Sequence, residues 1–578
     1  MKPLKKSTVA AGAIIISVGM LISRLLGFVR ENMLMNAFGD SDITGAYNIA
    51  FLVPDLLYVL LAGGAMSAAF IPVFTSYLSK GEEEDAHKTG STIASALLLV
   101  MVVGSLLEFI FAPFLVRLLA PGFEWGSPIF NLTVTLTRIM CIMVVFTAQS
   151  GHLTGILNSY HHFLAPVLVW NVYNLAIILG ITVFSKLPWQ NGLFGIPADA
   201  HGAMGIHGVA FGVVLGAFLM MAIQFPVAVM KYGFKFKFTL DFKHPGVIKV
   251  LKLFVPAMLG LSLTQVNLLA IPLIIGSLLG APAVTDIRLA NRLVLLPFGL
   301  FAVAVATAVF PRFAQQVALN EMGAFRTLIS RSVNTIMLLV IPSIILMVVL
   351  SEPINYALWG GGKFDQSGVQ ATSFVLMLFS WNLVGLSLQQ VVSRAFYSLH
   401  DTITPVIAGV AMVVVNIPLS LLLIRSPLQY GGTAVATTIT TLLSTIILTE
   451  LLRRRLGGIN GGNIVLTSAK IVLSSLIMGV VVYLVASRLA PVINHQVIGP
   501  AFRWPAPFLP FTKSDVITEF VISHAERIKL LLSVAISSGV GMAVYFFIIK
   551  LLKVDELNDV AGRFFKRFRK KVANPVAE

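Results

Sequence analysis

SRLLGFVRE at 23–31, DITGAYNIAFLVPDLLYVLLAGGAMSAAF at 42–70 and IPVF at 71–74 form one stretch in which charge is set into apolar helix. Arg24 and Arg30 sit near the end of one apolar run, and the next run is broken by Pro54 and loosened by Gly63 and Gly64. Charge inside hydrocarbon is costly, so such residues usually face a wet interior and bind something. The two runs therefore read as one wall of a cationic cavity, and the rest of the chain says what surrounds it.

The 578 residues are 57% hydrophobic and 11% charged, with a mean hydropathy of +0.90. A spanning helix needs about 20 apolar residues, because the hydrocarbon layer is about 30 Å thick and a helix rises about 1.5 Å per residue. Apolar runs of that length recur throughout, which makes this an integral membrane protein with no soluble domain of useful size. The net charge of +16 lies in short loops beside the apolar runs, which is a topology signal and not a nucleic-acid footprint. The single cysteine, Cys141, lies in an apolar run and excludes an intramolecular disulfide or a cysteine metal cluster. MKPLKK followed by an apolar run imitates a secretory signal, but the run continues into Arg24 and Arg30 without a small-residue cleavage site, so the first span is expected to stay.

Apolar length places spans near 8–32, 43–78, 88–119, 129–158, 163–185 and 205–230, then near 250–279, 285–317, 324–350, 369–399, 402–424 and 430–452, and finally near 464–487 and 527–552. The expected fold is an all-α polytopic membrane protein of fourteen transmembrane helices: a six-helix lobe over 1–232, a second over 233–456, and two extra helices over 457–578 with an external loop and a basic tail. Lys2, Lys5, Lys6, the lysine-rich stretch from Lys231 to Lys252, the Arg453–Arg455 run and the tail all fall on one side, which puts both termini in the cytoplasm. The segment 488–526 is assigned to the outside as a loop with room for a short surface helix. An internal repeat supports the two lobes. FIPVF at 70–74 corresponds to VFPRF at 309–313, and SYHHFLAP at 159–166 to SLHDTITP at 398–405, both at an offset of 239 residues.

No energy-coupling or hydrolytic motif is present. GGGK at 360–363 lacks the leading glycine and the following Ser or Thr of a P-loop, and neither HExxH nor G-x-S-x-G occurs. His161 and His162 share a polar turn and read more simply as loop residues than as metal ligands. The distinctive set is cationic: Arg24 and Arg30 in the first span, Arg288 and Arg292 four residues apart in the eighth. Arginine stays charged when desolvated and its fork matches phosphate oxygens, so an anionic substrate is expected. The competing reading is that each arginine snorkels or pairs with a neighbour such as Glu31 or Asp286. Asn171, Asn174, Gln265, Asn267, Asn416 and Ser420 either line a path or join helices by hydrogen bonds, and Glu108 and Arg138 either pair or reach separate interfaces.

SRLLGFVRE, AYNIAFLVPDLL at 46–57, GGAMSAAFIPVF at 63–74, LAPGF at 119–123, GILNSYHHFLAP at 155–166, ANRLVLLPFGL at 290–300 and FYSLHDTITPV at 396–406 resemble the MurJ family of bacterial lipid II flippases, within the multidrug/oligosaccharidyl-lipid/polysaccharide exporter superfamily. The resemblance implies fourteen spans and a non-enzymatic flippase that carries lipid II from the cytoplasmic to the outer leaflet of the inner membrane by alternating access. It implies Arg24, Arg30 and Arg292 as the functional arginines that hold the pyrophosphate; Ser23 and the added Arg288 complete the expected substrate-binding set, and cell-wall synthesis proteins are candidate partners. Asn416 and Ser420 remain as partial ion ligands; no metal, cofactor or nucleic acid is expected. The chain departs from the family pattern at Gly45, where Asp is usual and Asp42 is the nearby substitute. It departs again at Tyr58, where an arginine is usual, at Gly63 and at Pro272. Arg288 would compensate for the arginine missing at Tyr58. The nearest alternatives are an exporter of another lipid-linked oligosaccharide or a drug antiporter of the same superfamily. An enzyme acting on the same lipid would instead require essential outside carboxylates, for which Asp40, Asp42, Glu124, Asp199, Glu352 and Asp365 are the few candidates.

Overall fold

In a computed structural model, the described residues are 6–61, 64–189, 203–254, 271–459, 461–494, 514–554 and 556–557, and they are almost wholly helical, with only isolated bridges such as Gly361 to Phe364. The helices are α1 Lys6–Phe38, α2 Asp42–Leu61, α3 Gly64–Lys80, α4 Glu83–Leu119, α5 Pro128–Met140, α6 Met143–Ser159, α7 Leu164–Thr182, α8 Ile206–Pro226, α9 Ile271–Gly276 and α10 Ala281–Pro297. They continue with α11 Ala304–Ala318, α12 Met322–Val349, α13 Ser351–Trp359, α14 Gln366–Phe379, α15 Asn382–Ser398, α16 Ile403–Leu423, α17 Gly431–Leu456, α18 Gly461–Asn494 and α19 Ser514–Leu551.

Ten spans among the described residues are long and apolar enough to cross a membrane, eleven if α14 and α15, bent by 41°, count as one. The expected second span is two helices, α2 and α3, and most of the expected seventh, with Gln265 and Asn267, lies outside the described residues, as does Gly63. The external loop expected over 488–526 is shortened at both ends, because α18 runs on to Asn494 and α19 begins at Ser514.

The residues explain where helices start, bend and stop. Ser127 accepts the Phe130 amide at 3.3 Å with Pro128 opening α5, and Asp365 accepts the Gly368 amide at 3.0 Å to open α14. The breaks after α5 and α14 each carry a side chain bonded back to the preceding turn, Cys141 to the Arg138 carbonyl at 3.0 Å and Ser380 to the Leu376 carbonyl at 2.6 Å. Pro226 and Pro297 cannot donate to the turn behind them, and each is followed at once by a π-helical turn, Val227–Lys231 and Phe298–Val303. The 239-residue offset recurs in the element starts, 42 and 281, 83 and 322, 143 and 382, 164 and 403. It recurs also in the rare positive φ of the turns: Gly81 at 80° with Asn320 at 55°, His161 at 58° with His400 at 60°.

Two prolines orphan carbonyls that side chains then satisfy. Pro342 has no N–H for the Leu338 carbonyl four residues back, and the Tyr545 hydroxyl donates to it at 2.7 Å. Pro113 does the same to Phe109, whose carbonyl accepts Arg138 Nε at 3.2 Å while the guanidinium carbon lies 5.4 Å from the centre of the Phe109 ring. Arg138 therefore does not pair with Glu108; it repairs the ladder that Pro113 opens.

Contacts group the chain into two compact units, Met1–Arg288 with Asn416–Ile424, and Leu289–Val415 with Arg425–Glu578. The first unit packs Phe70 and Phe74 of α3 against Ile93 and Met101 of α4 and Leu153 and Ile156 of α6, all buried. Its α7 and α8 approach until a Cβ on Gly212 would lie 2.8 Å from the Gly180 Cα, the small-residue contact that lets helices pack in lipid. In the second unit, α12 packs on α15 and α18, and α18 packs on α19.

Candidate functional site

The polar centre of the first unit is built by α1, α2, α7 and the start of α10. Arg30 is 12% exposed; its Nη2 lies 3.1 Å from Glu31 Oε2 and its Nη1 donates to Asn174 Oδ1 at 3.1 Å. Asn174 in turn donates to the Ser23 carbonyl at 3.2 Å, and Asn171 one turn earlier reaches the Val167 carbonyl at 3.1 Å. Both asparagines thus act as helix-joining or helix-bracing groups, and Asn174 fixes the Arg30 fork as well. Glu31 is buried, so the arginine is held by an acid from its own helix and an amide from α7.

The second part of the centre surrounds Arg288. Its Nη1 donates to Asn48 Oδ1, and its guanidinium carbon lies 5.2 Å from the centre of the Phe51 ring. Asn48 donates onward to Thr285 Oγ1 at 3.1 Å, and Thr285 to Thr44 Oγ1 at 3.4 Å. Asp55 acts electrostatically on Arg288 and on Tyr58, three residues along α2. Tyr173 lies within electrostatic reach of Arg30, Arg288, Asp55 and Tyr47, so one buried tyrosine joins the two arginine groups. Each guanidinium has an acid near it and keeps N–H donors beyond those its protein contacts use, which is what recognition of a phosphate-type anion requires.

The remaining expected residues fall elsewhere. Arg24 is exposed, among exposed Leu21 and Leu25 on α1, and is not brought together with Arg30. Arg292 is partly buried and belongs to the second unit, since the division falls after Arg288. Asn416 and Ser420 are fully buried, and the Ser420 hydroxyl donates to Asn416 Oδ1 at 3.0 Å. His162 Nδ1 meets the Tyr232 hydroxyl at 3.1 Å, and no cluster of metal-binding side chains occurs among the described residues. Gly45 has a plain steric reason: a Cβ there would sit 2.4 Å from the Ala281 carbonyl oxygen, so α2 meets the start of α10 only without a side chain. Asp42 is exposed and does not replace one at Gly45.

The sequence reading missed Asn48, Asp55, Tyr47, Tyr173 and Thr285. The signal was in the opening stretch itself, where Asn48 and Asp55 lie seven apart, about two helical turns, and so share a face.

These features define a polytopic helical membrane protein with an ionic cluster set inside apolar helices. The fold is similar to that of the solved lipid II flippase MurJ in an inward closed conformation, with a TM-score of 0.70 at 23% identity over 93% of this chain and 98% of that one. An inward-facing multidrug resistance MATE family transporter shares it more loosely, with a TM-score of 0.58 at 14% identity over 77% of this chain and 98% of that one. Residues 34–498 match the family model described as Lipid II flippase MurJ, and the chain belongs to that family. A probable lipid II flippase MurJ of Buchnera aphidicola subsp. Schizaphis graminum is 30% identical over 397 residues, 68% of this chain and 73% of the relative. The lipid II flippase MurJ of Burkholderia cenocepacia is 29% identical over 404 residues, covering 68% and 74%. The matched region starts beyond Arg24 and Arg30.

Proposed function

We propose that this protein is a flippase for lipid II, carrying the undecaprenyl-linked pyrophosphoryl disaccharide-pentapeptide across the bacterial inner membrane by alternating access. The observation that carries the reading is the family membership joined to the arginine centre: Arg30 and Arg288 each keep donors beyond those engaged by Asn174, Glu31 and Asn48. A pyrophosphate would take those donors in pairs, with Arg24 and Arg292 as further cations along its route and Ser23 beside Arg30. The proposed topology is fourteen spans with both termini in the cytoplasm. Arg288 stands in for the arginine absent at Tyr58, a reading supported by Asp55, which lies within electrostatic reach of both residues.

No nucleotide site is proposed, so the cycle draws on the membrane potential or an ion gradient. One elementary charge crossing about 100 mV is worth about 2.3 kcal/mol, enough to bias a cycle that returns cationic arginines. Native mass spectrometry of the purified protein with lipid II, and with an undecaprenyl pyrophosphate bearing an O-antigen sugar, tests the cargo. Preference for lipid II that collapses in Arg292→Ala and in Arg30→Ala is expected. Equal binding of both lipids, indifferent to either arginine, would move the protein to another lipid-linked cargo.

A further inference from the structure

Glu108 belongs to none of the groups described above. It sits in LLEFIF on α4, eleven residues from the helix's C-terminal end, a depth of about 16 Å at about 1.5 Å per residue, near the middle of a hydrocarbon layer about 30 Å thick. Leu107 and Phe109 on either side are about half exposed, whereas Glu108 is 3% exposed and points into the unit. Neither of its carboxyl oxygens has a hydrogen-bond partner among the described residues.

The charged and titratable groups that face it from the packed elements are few. From α5, exposed Arg138 reaches Phe109, the residue after Glu108 on α4, and is committed to the Phe109 carbonyl that Pro113 leaves open and to the Phe109 ring. Cys141, just past α5, is buried and is close enough for Glu108 and Ser105 to act on it. On α6, His152 bonds to the Gly90 carbonyl, eighteen residues and about 27 Å away along α4. On α2, Asp55 and Tyr58 belong to the Arg288 group. On α3, Tyr77 stands against His244 and Lys80 is exposed.

An ionised carboxylate with no cation and no donor does not stay in such a place, whereas a neutral carboxylic acid does. We propose that Glu108 is a proton-binding site of the first unit, neutral while α4 and α5 are packed as here and ionised when they part to water. On release the carboxyl O–H bond breaks, its electron pair stays on the carboxylate and the proton passes to water. Arg138, which is bonded to the residue next to Glu108, would reach the new charge only by giving up the Phe109 carbonyl, so proton loss and repair of the Pro113 break would compete for one guanidinium. That competition couples protonation to the packing of α4 on α5, and it gives the proposed flippase an ionic input separate from the arginine centre.

The test reads Glu108 directly and does not depend on the cargo. Infrared difference spectra of the purified protein at neutral pH, wild type minus Glu108→Gln, are expected to show a protonated-carboxyl carbonyl band that shifts slowly in heavy water and vanishes at high pH. Arg138→Gln is expected to keep the band and hold it to higher pH, because the compensating cation is gone. A carboxylate band in place of the acid band, or no difference at the carboxyl frequencies, overturns the proposal. If Glu108→Gln does not fold, wild-type protein labelled with carbon-13 glutamate and titrated with pH distinguishes the same two outcomes. Failure of lipid II binding would leave these spectra unchanged, so the two readings fail separately.

Discussion

Removing Glu31 alone is expected to destabilise the first unit strongly, and removing Glu31 and Arg30 together to destabilise it less. The pair is separated by 3.1 Å, and its ends are 12% and 2% exposed, so neither charge is rescued by water when the other is deleted. Breaking such a pair from one side costs about 3–5 kcal/mol, because it strands the surviving charge. For a cooperative unit of about 300 residues, an unfolding entropy of about 2 cal/mol/K per residue gives about 0.6 kcal/mol per degree. Glu31→Gln should therefore lower the thermal midpoint by about 5–8 °C. Arg30→Gln should also lower the midpoint, and the double variant should melt above Glu31→Gln alone, so the coupling is at least as large as the whole cost of Arg30→Gln measured by itself.

The protein carries its own reporter for this. Cys141 is the one cysteine of the chain, is 5% exposed, and lies in the same unit, so a thiol-reactive fluorophore labels it only as the unit opens. Labelling-monitored melting in detergent gives the four midpoints of the cycle. Additive losses, or a Glu31→Gln midpoint within about 1 °C of wild type, would refute the reasoning, since Glu31 would then not be the counter-ion of Arg30. Arg30→Lys is the informative fifth variant. It keeps the charge but not the fork that spans Glu31 and Asn174, so it should fall between wild type and Arg30→Gln.

Gly45→Asp restores the residue usual in the family and should still impair folding, because its Cβ meets the Ala281 backbone; overpacking of this kind costs about 1–3 kcal/mol, read by the same melting assay. Tyr545→Phe should cost about 1–3 kcal/mol by stranding the Leu338 carbonyl, and with Pro342→Ala, which restores a helical donor, the cost of Tyr545→Phe should shrink. Asp401 accepts the Thr404 amide at 3.0 Å and Arg455 at 2.7 Å, contacts that hold its carboxyl below the usual carboxylate range. The stability it adds is present above the unfolded value of about 3.9 and is lost as pH falls through the folded one, so wild type should exceed Asp401→Asn near neutral pH and the gap should close in acid.

Membrane class and helix placement were legible in the sequence because hydropathy and loop charge are averages over many residues. The repeat was legible from two short matches, and its 239-residue offset recurs to the residue in four helix starts and two positive-φ turns. What single residues do was harder to read. For Arg138 the sequence leaves two readings open, a pair with Glu108 or a reach to the interface, yet the deciding neighbour is Pro113, a residue with no charge at all. Arg24 and Arg30 share one apolar run, but their six-residue separation is 600° of helix and turns the two side chains to different faces.

The same limit bears on the arginine centre. A list of intramembrane cations suggests a strongly positive cluster, but in the first unit Glu31 pairs with Arg30 and Asp55 lies within electrostatic reach of Arg288, and a guanidinium paired with a carboxylate carries little net charge as a pair. Such a centre tolerates the apolar surroundings between cargoes, which an uncompensated set of arginines would not. Binding an anion at Arg30 then means competing with a resident carboxylate for part of its fork. Glu31→Gln should thus weaken the folded protein and, in whatever fraction folds, raise its affinity for a pyrophosphate-bearing lipid, because the competitor has gone. A variant less stable yet tighter-binding is the opposite of what general damage produces, so stability and binding measured on one Glu31→Gln sample separate a compensated anion site from a purely structural ion pair.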